Sequence, residues 1–204
     1  MNGHLAPQAR QTSLKDSLLQ NALAILDEAG PDGVTIRAVA RASGVSHAAP
    51  ANHFRDRRDL LTELATAIFG QYLAEVERQH VMHHDRASAY LTSLFNFSQV
   101  YPWRYSLLWR KDLIDWEDAK LLTVCEKAYK DFLGALSSRK TSSAPDVTDI
   151  ETLGTALWSM VHGYSDLRAT GFFEARTDSV TGQPRLVAML RLLLPSCGND
   201  RLPD

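Results

Sequence analysis

Thr35-Ile36-Arg37-Ala38-Val39-Ala40-Arg41-Ala42-Ser43-Gly44-Val45-Ser46 is the stretch whose reading decides the fold. Thr35 offers a hydroxyl oxygen where a helix needs an acceptor for its first free amides. Ile36, Val39 and Ala40 then recur at helical spacing. Ser43-Gly44 ends the run, because glycine tolerates the left-handed backbone of a tight turn. Ala40 is small enough for two helices to cross close to it, and Val39 and Val45 can fill the wedge between them. Ser46 is placed to start a third short helix reaching about His53. Residues 35–53 are therefore predicted to form two crossed helices, a helix-turn-helix.

The flanks extend this reading. Upstream, Leu18, Ala22, Ile25, Leu26 and Ala29 line one face of a helix predicted from Ser13 to Ala29. Ser13 with Asp16 resembles a capping box, and Gly30-Pro31 stops the helix. Downstream, Asp56 caps a long helix with Leu60, Leu61, Leu64, Ala65, Ile68 and Tyr72 on its apolar stripe. The chain carries a net charge of −2, yet residues 33–60 hold five arginines against two aspartates, a local +3. A local basic face on a mildly acidic body fits contact with a few phosphates better than general polyanion binding. The third helix would then show short or polar side chains to base edges: Ser46, His47, Ala48, Ala49 and Asn52. His47 and Asn52 are the best base readers among them, since asparagine can bond adenine in a bidentate way.

The ordered series from Thr35 to Ser46, followed by His53-Phe54 and Arg57-x-x-Leu60, resembles the TetR family of regulators over about residues 12–72. The resemblance implies a DNA-binding domain there, with the third helix in the major groove and Thr35, Arg37, His53 and Arg57 near the DNA. It implies that Phe54 anchors that helix to the core. Pro50 and Ala51 depart from the pattern, because relatives often carry an aliphatic residue and a phosphate-binding tyrosine there. Pro50 lacks an amide hydrogen and disfavours helical geometry at Ala49, so the third helix is expected to be short and to start late. The string Ser46-His47-Ala48-Ala49-Pro50 also resembles a variant within the family.

Beyond residue 80 the pattern turns bulkier. Helices are predicted near 86–100, 103–112, 116–137, 148–171 and 179–194, giving an all-α chain of about nine helices. The polar run from Ser137 to Pro145 reads as a loop. By the same resemblance, residues 80–195 are expected to form a second, helical domain for effector binding and dimerisation. All four tryptophans lie in this part, and aromatic walls with a few polar groups suit a cavity between helices. Trp103, Tyr105, Trp109, Tyr129, Trp158 and His162 are the candidate pocket residues. Trp158, His162 and Gly163 resemble a C-terminal domain of one TetR subgroup. Mid-helix glycine signals close packing. The apolar faces holding Leu153, Leu157, Met160, Val161 and Tyr164, and Leu186, Val187, Met189, Leu190 and Leu193, exceed what one helix pair can bury. The family solution is a homodimer on a palindromic operator, its recognition helices ~34–36 Å apart.

Other classes lack support. Cys125 and Cys197 have no metal or disulfide spacing. The opening MNGHLAPQARQ has no apolar signal core, and the greasy stretch Leu186–Leu194 is short and contains Arg191, so a cytoplasmic protein with no membrane partner is expected. His80, His83, His84 and Asp85 are the most metal-like cluster, but no fourth convergent ligand is evident. No catalytic triad, phosphate loop or paired carboxylates stand out, so neither an enzyme nor a cofactor is expected. The readings left are a repressor released from its operator by a small-molecule effector, and an interaction module that kept the scaffold without DNA binding.

Overall fold

The computed structural model describes residues 13–139 and 149–194. These form α1 (Leu14–Gly33), α2 (Ile36–Ala42), a 3-10 helix (Ala49–Asn52), α3 (Arg57–His83), α4 (Arg86–Val100), α5 (Pro102–Leu108), α6 (Ala119–Ser138), α7 (Ile150–Ala169) and α8 (Arg185–Leu193). Among the described residues there is no strand beyond an isolated bridge between Thr177 and Pro184. The all-α class thus holds. Cys197, the opening segment and most of the Ser137 to Pro145 run lie outside the described residues.

Local chemistry sets the first three helices. The Ser13 and Asp16 side chains each accept the other's backbone N–H, a complete capping box. Gly30 breaks α1 with φ 70°, and one further turn runs through Pro31 to Gly33. A side chain at Gly30 would meet both strain and the Trp103 ring, 3.3 Å from where a Cβ would stand. Thr35 caps α2 through Ala38 N–H, and Asp56 caps α3 through Asp59 N–H. Gly44 makes the turn after α2 with φ 67°. Val45 N–H and Ser43 N–H return to the carbonyls of Ala40 and Val39, so the end of α2 is satisfied by the turn itself.

Four expected helices are corrected. The third is short and starts late with Pro50 in its first turn, as expected, but it is a 3-10 turn from Ala49 to Asn52 and not an α-helix reaching from Ser46 to about His53. Pro50 supplies no amide hydrogen; Ala49 N–H to Ser46, Ala51 N–H to Ala48 and His53 N–H to Pro50 are bonds of the i to i+3 type, and Phe54 N–H also reaches the Pro50 carbonyl. The last helix starts at Arg185, not near 179. The Asp178 carboxylate accepts N–H from Val180 and Thr181, Gly182 takes φ 71°, and Pro184 follows, so this backbone is held in a turn. Residues 103–112 likewise stop being helical at Leu108, and α6 begins only after Asp118 caps it.

α3 is the spine. Its 27 residues span about 40 Å, packing on α1, α4, α5 and α6. Leu60, Leu61, Leu64, Ala65, Ile68 and Tyr72 are all buried, as the stripe predicts. One apolar core runs along this helix, from Leu18 and Phe54 at one end to Leu157 and Leu190 in the other half. α7 closes the far side against α4, α6 and α8. At Gly154 a Cβ would lie 2.7 Å from Leu133, which accounts for glycine where α7 crosses α6.

Candidate nucleic-acid interface

The helix-turn-helix hangs on a few anchors. Phe54 is 2% exposed and sits in the core, with the Lys15 ammonium 5.7 Å from its ring centroid. Asn21 of α1 donates to the Ser43 hydroxyl at 3.0 Å, tying the turn to the first helix. Val39 and Ala40 are fully buried, and Val45 packs on the core from its edge. Pro50 is buried too, so the residue that shortens the third helix also roots it.

The candidate residues differ in exposure. Thr35, Arg37, Ser46, His47, Ala48 and Asn52 are exposed, and Ala49 and His53 are half-buried. Ala51, where relatives often hold tyrosine, is exposed and offers only a methyl group.

The arginines divide into two kinds. Arg57 donates Nε–H to the Val34 carbonyl at 2.8 Å and Nη2–H to the Pro31 carbonyl at 2.7 Å. Two of its donor directions are thus spent closing the end of α1. Arg55 pairs with Asp59, whose carboxyl is held below the usual range chiefly by that hydrogen bond. Arg58 reaches the Ile114 carbonyl at 2.8 Å. Arg37 and Arg41 differ: both are exposed, one helical turn apart on α2, with no hydrogen-bond or ion-pair partner among the described residues. The sequence reading placed no DNA contact on Arg41; its i, i+4 spacing from Arg37 was the available signal.

The interior aromatic set is brought together only in part. The Tyr105 hydroxyl lies 2.6 Å from His162 Nδ1. The His162 ring centroid is 4.3 Å from that of Trp109 and 5.6 Å from that of Trp158. Trp116, absent from the expected set, stacks on Trp109 at 6.3 Å. Trp103 and Tyr129 lie apart from this cluster. Trp103, 46% exposed, covers Gly30 from the first turn of α5, and Tyr129 is exposed on α6. Burial pushes the His162 pKa down and raises that of Tyr105, so the pair favours neutral forms. Burial also lifts the Cys125 thiol to about 11, which favours its protonated form at neutral pH.

The segment between α5 and α6 joins this cluster to the front of α3. It carries Trp109 and Trp116, and its Ile114 carbonyl holds Arg58 while Asp115 N–H donates to Thr62 Oγ1 at 2.9 Å. Glu63 bridges Lys15 of α1 at 2.9 Å and Lys120 of α6 at 2.6 Å. Arg104 of α5 clasps Asp27 of α1. Sequence periodicity gave no sign of these links, whose partners lie 48 to 77 positions apart. Among the described residues no group of three or more His, Cys, Asp or Glu side chains could hold a metal ion, and no helix is long and apolar enough to cross a membrane.

Comparison with known proteins agrees with this geometry. Residues 18–64 match the family model of bacterial regulatory proteins, tetR family. A protein of unknown function from Rhodococcus sp. RHA1 shares the fold with a TM-score of 0.69 and 25% identity, over 81% of this chain and 88% of its own. A TetR family transcription regulator from Marinobacter aquaeolei VT8 aligns with a TM-score of 0.60 and 16% identity, over 79% of this chain and 86% of its own. The superantigen PfiT has the same fold, with a TM-score of 0.67 and 17% identity over 94% of this chain and 100% of its own. No curated protein matches the chain by sequence. The N-terminal domain is a TetR-family helix-turn-helix domain, on a chain with the fold of TetR-family transcription regulators.

Proposed function

We propose that the chain is a sequence-specific DNA-binding regulator, acting as a homodimeric repressor that leaves a palindromic operator when a small molecule binds its C-terminal half. The observation that carries this reading is the contrast along residues 35–57. Val39, Ala40, Pro50 and Phe54 are buried, while Thr35, Arg37, Ser46, His47, Ala48 and Asn52 face solvent. Exposed guanidinium groups on α2 suit phosphates, and short side chains ahead of Asn52 let a groove approach closely. Arg57 then acts first as a brace for α1 and only secondarily as a phosphate ligand.

Dimer formation draws support from α7. Thr152, Ala156, Ser159 and Gly163 make an exposed stripe of small residues along it, and a Cβ at Gly163 would meet nothing within 4 Å. Glycine there has no packing reason inside one subunit, whereas a second copy could approach closely. Release by an effector draws support from the α5–α6 segment, which links the His162 cluster to Arg58 and Thr62 at the front of α3. A change in that cluster would reach the arginine next to Arg57 through direct bonds.

A duplex selected from random sequence by the purified protein, followed by fluorescence anisotropy across salt, tests the reading. A palindromic consensus is expected, with log affinity falling linearly in log salt. The second reading, an interaction module without DNA binding, is favoured by the four-residue 3-10 turn and by Ala51. Failure to enrich any sequence, together with salt-insensitive binding, would decide for it.

A further inference from the structure

A cavity of about 120 Å³ lies between the last turns of α3, the first half of α4 and the inner face of α8. None of the six expected pocket residues lines it. Gln79 and His83 close it from α3, Ser88 and Ala89 from α4, and Val187 and Leu190 from α8. Ser88 is 6% exposed, and its hydroxyl oxygen is buried with no hydrogen-bond partner. A buried hydroxyl beside open space is placed to bond an occupant of that space. The wall contributed by Ala89, Val187 and Leu190 is apolar. The one carboxylate at the rim, Asp85, is ion-paired with Arg139, and each is 11% exposed, so the rim carries no unpaired acid.

We propose that this cavity binds a small uncharged amphiphile, an alcohol or amide with a short alkyl tail. The head bonds Ser88 and the Gln79 amide, and the tail lies on Ala89, Val187 and Leu190. A cavity of this size is comparable with one of about 150 Å³ that accepts benzene, which limits the ligand to a few heavy atoms. The regulatory part of the proposal rests on the repressor reading above. Gln79 and His83 are at the end of α3 remote from Asp56, so a molecule wedged between α3 and α8 bears on the far end of the helix that carries the DNA-binding domain.

Isothermal titration and saturation-transfer NMR on the full chain, with 1-pentanol, pentanamide, pentanoate and pentylammonium as probes, test this directly. The two neutral probes are expected to bind about tenfold more tightly than the two ions, because a dry wall disfavours charge. Ser88→Ala should weaken them by about fivefold. Ala89→Leu, which fills the cavity, should abolish binding; Val187→Phe fills it from the opposite helix if the first variant fails to fold. Equal binding of all four probes, no binding of any, or binding that survives in a folded filled variant overturns the site. Pentanamide is then titrated against the protein on its selected duplex. Loss of DNA affinity supports the effector role, and a bound probe that leaves DNA affinity unchanged overturns that role while the site stands. A protein that selects no duplex at all refutes the repressor reading and leaves the probe result intact.

Discussion

Residues 35–57 and the cluster around His162 are both small sets of side chains gathered from helices and the turns beside them, yet they are held differently. The first takes its caps and turns from neighbours in sequence, with Asn21 on Ser43 and Arg57 on Val34 and Pro31 as its longer ties. Thr35, Gly44, Pro50 and Asp56 each act within about four positions, and the outward side chains are left free. The second is secured by partners far along the chain, with Tyr105 bonded to His162 57 positions away and the rings of Trp109, Trp116 and Trp158 packed around them. A surface meant for a partner keeps its donors unspent. The interior cluster spends some of its donors on the protein, through Tyr105 and His162, and leaves the Trp109 and Trp116 indole N–H groups buried without a partner, so its properties follow from burial.

Phe54→Ala tests the anchor of the first region and should have the largest effect. Truncating a phenylalanine that is 2% exposed removes the contact between the third helix and the core. A loss of about 3–5 kcal/mol in urea denaturation is expected, with DNA binding lost alongside. If stability holds, the segment is not rooted through Phe54.

The two kinds of arginine give the next test. Arg57→Ala should lower stability by about 1–3 kcal/mol, since two carbonyls at the end of α1 lose charged donors. Arg37→Ala combined with Arg41→Ala should leave stability within about 0.5 kcal/mol while reducing the salt slope of DNA binding by about 2. The reverse pattern would break the distinction between spent and unspent donors.

Asn52→Ala sharpens the comparison within the exposed face. Discrimination between the selected duplex and a single-site variant should fall by about 1–3 kcal/mol, with little change in affinity for random DNA. Equal losses on both would assign Asn52 to the backbone instead of a base.

The smallest effect concerns pH. His162 has a folded pKa below its ordinary 6.5, mainly through burial, with Asp166 opposing. On lowering the pH through that value, the unfolded chain takes up a proton that the folded ring resists. Stability should therefore decline as the pH falls below about 6.5, and His162→Gln should flatten that part of the melting-temperature profile. An unchanged profile would mean that His162 is no more buried in effect than an open surface histidine.

Legibility followed the same division. The capping box at Ser13, the caps at Thr35 and Asp56 and the turn at Gly44 stand in the structure as the residues announce them, because each is a bond between near neighbours. Pro50 announced a short, late third helix, but its full consequence, a 3-10 turn in place of an α-helix, depended on where the chain had to be to bury Pro50 and Phe54. The helix expected from 179 failed at Asp178 and Gly182, where side-chain acceptance of backbone amides outweighed the periodicity. Trp103 carried no mark to say that it would cover Gly30 and not join Trp109.

The order of residues by itself determined the helical class, the helix-turn-helix and the exposed face on it, since periodicity, caps and turn glycines act over a few positions. Only the tertiary structure decided that Arg57 and Arg58 brace the protein, that Trp116 joins the His162 cluster, and that Ser88 looks onto a cavity beside α8. Those outcomes depend on which distant surfaces meet when the core closes, and burial, unlike a cap, has no local signature.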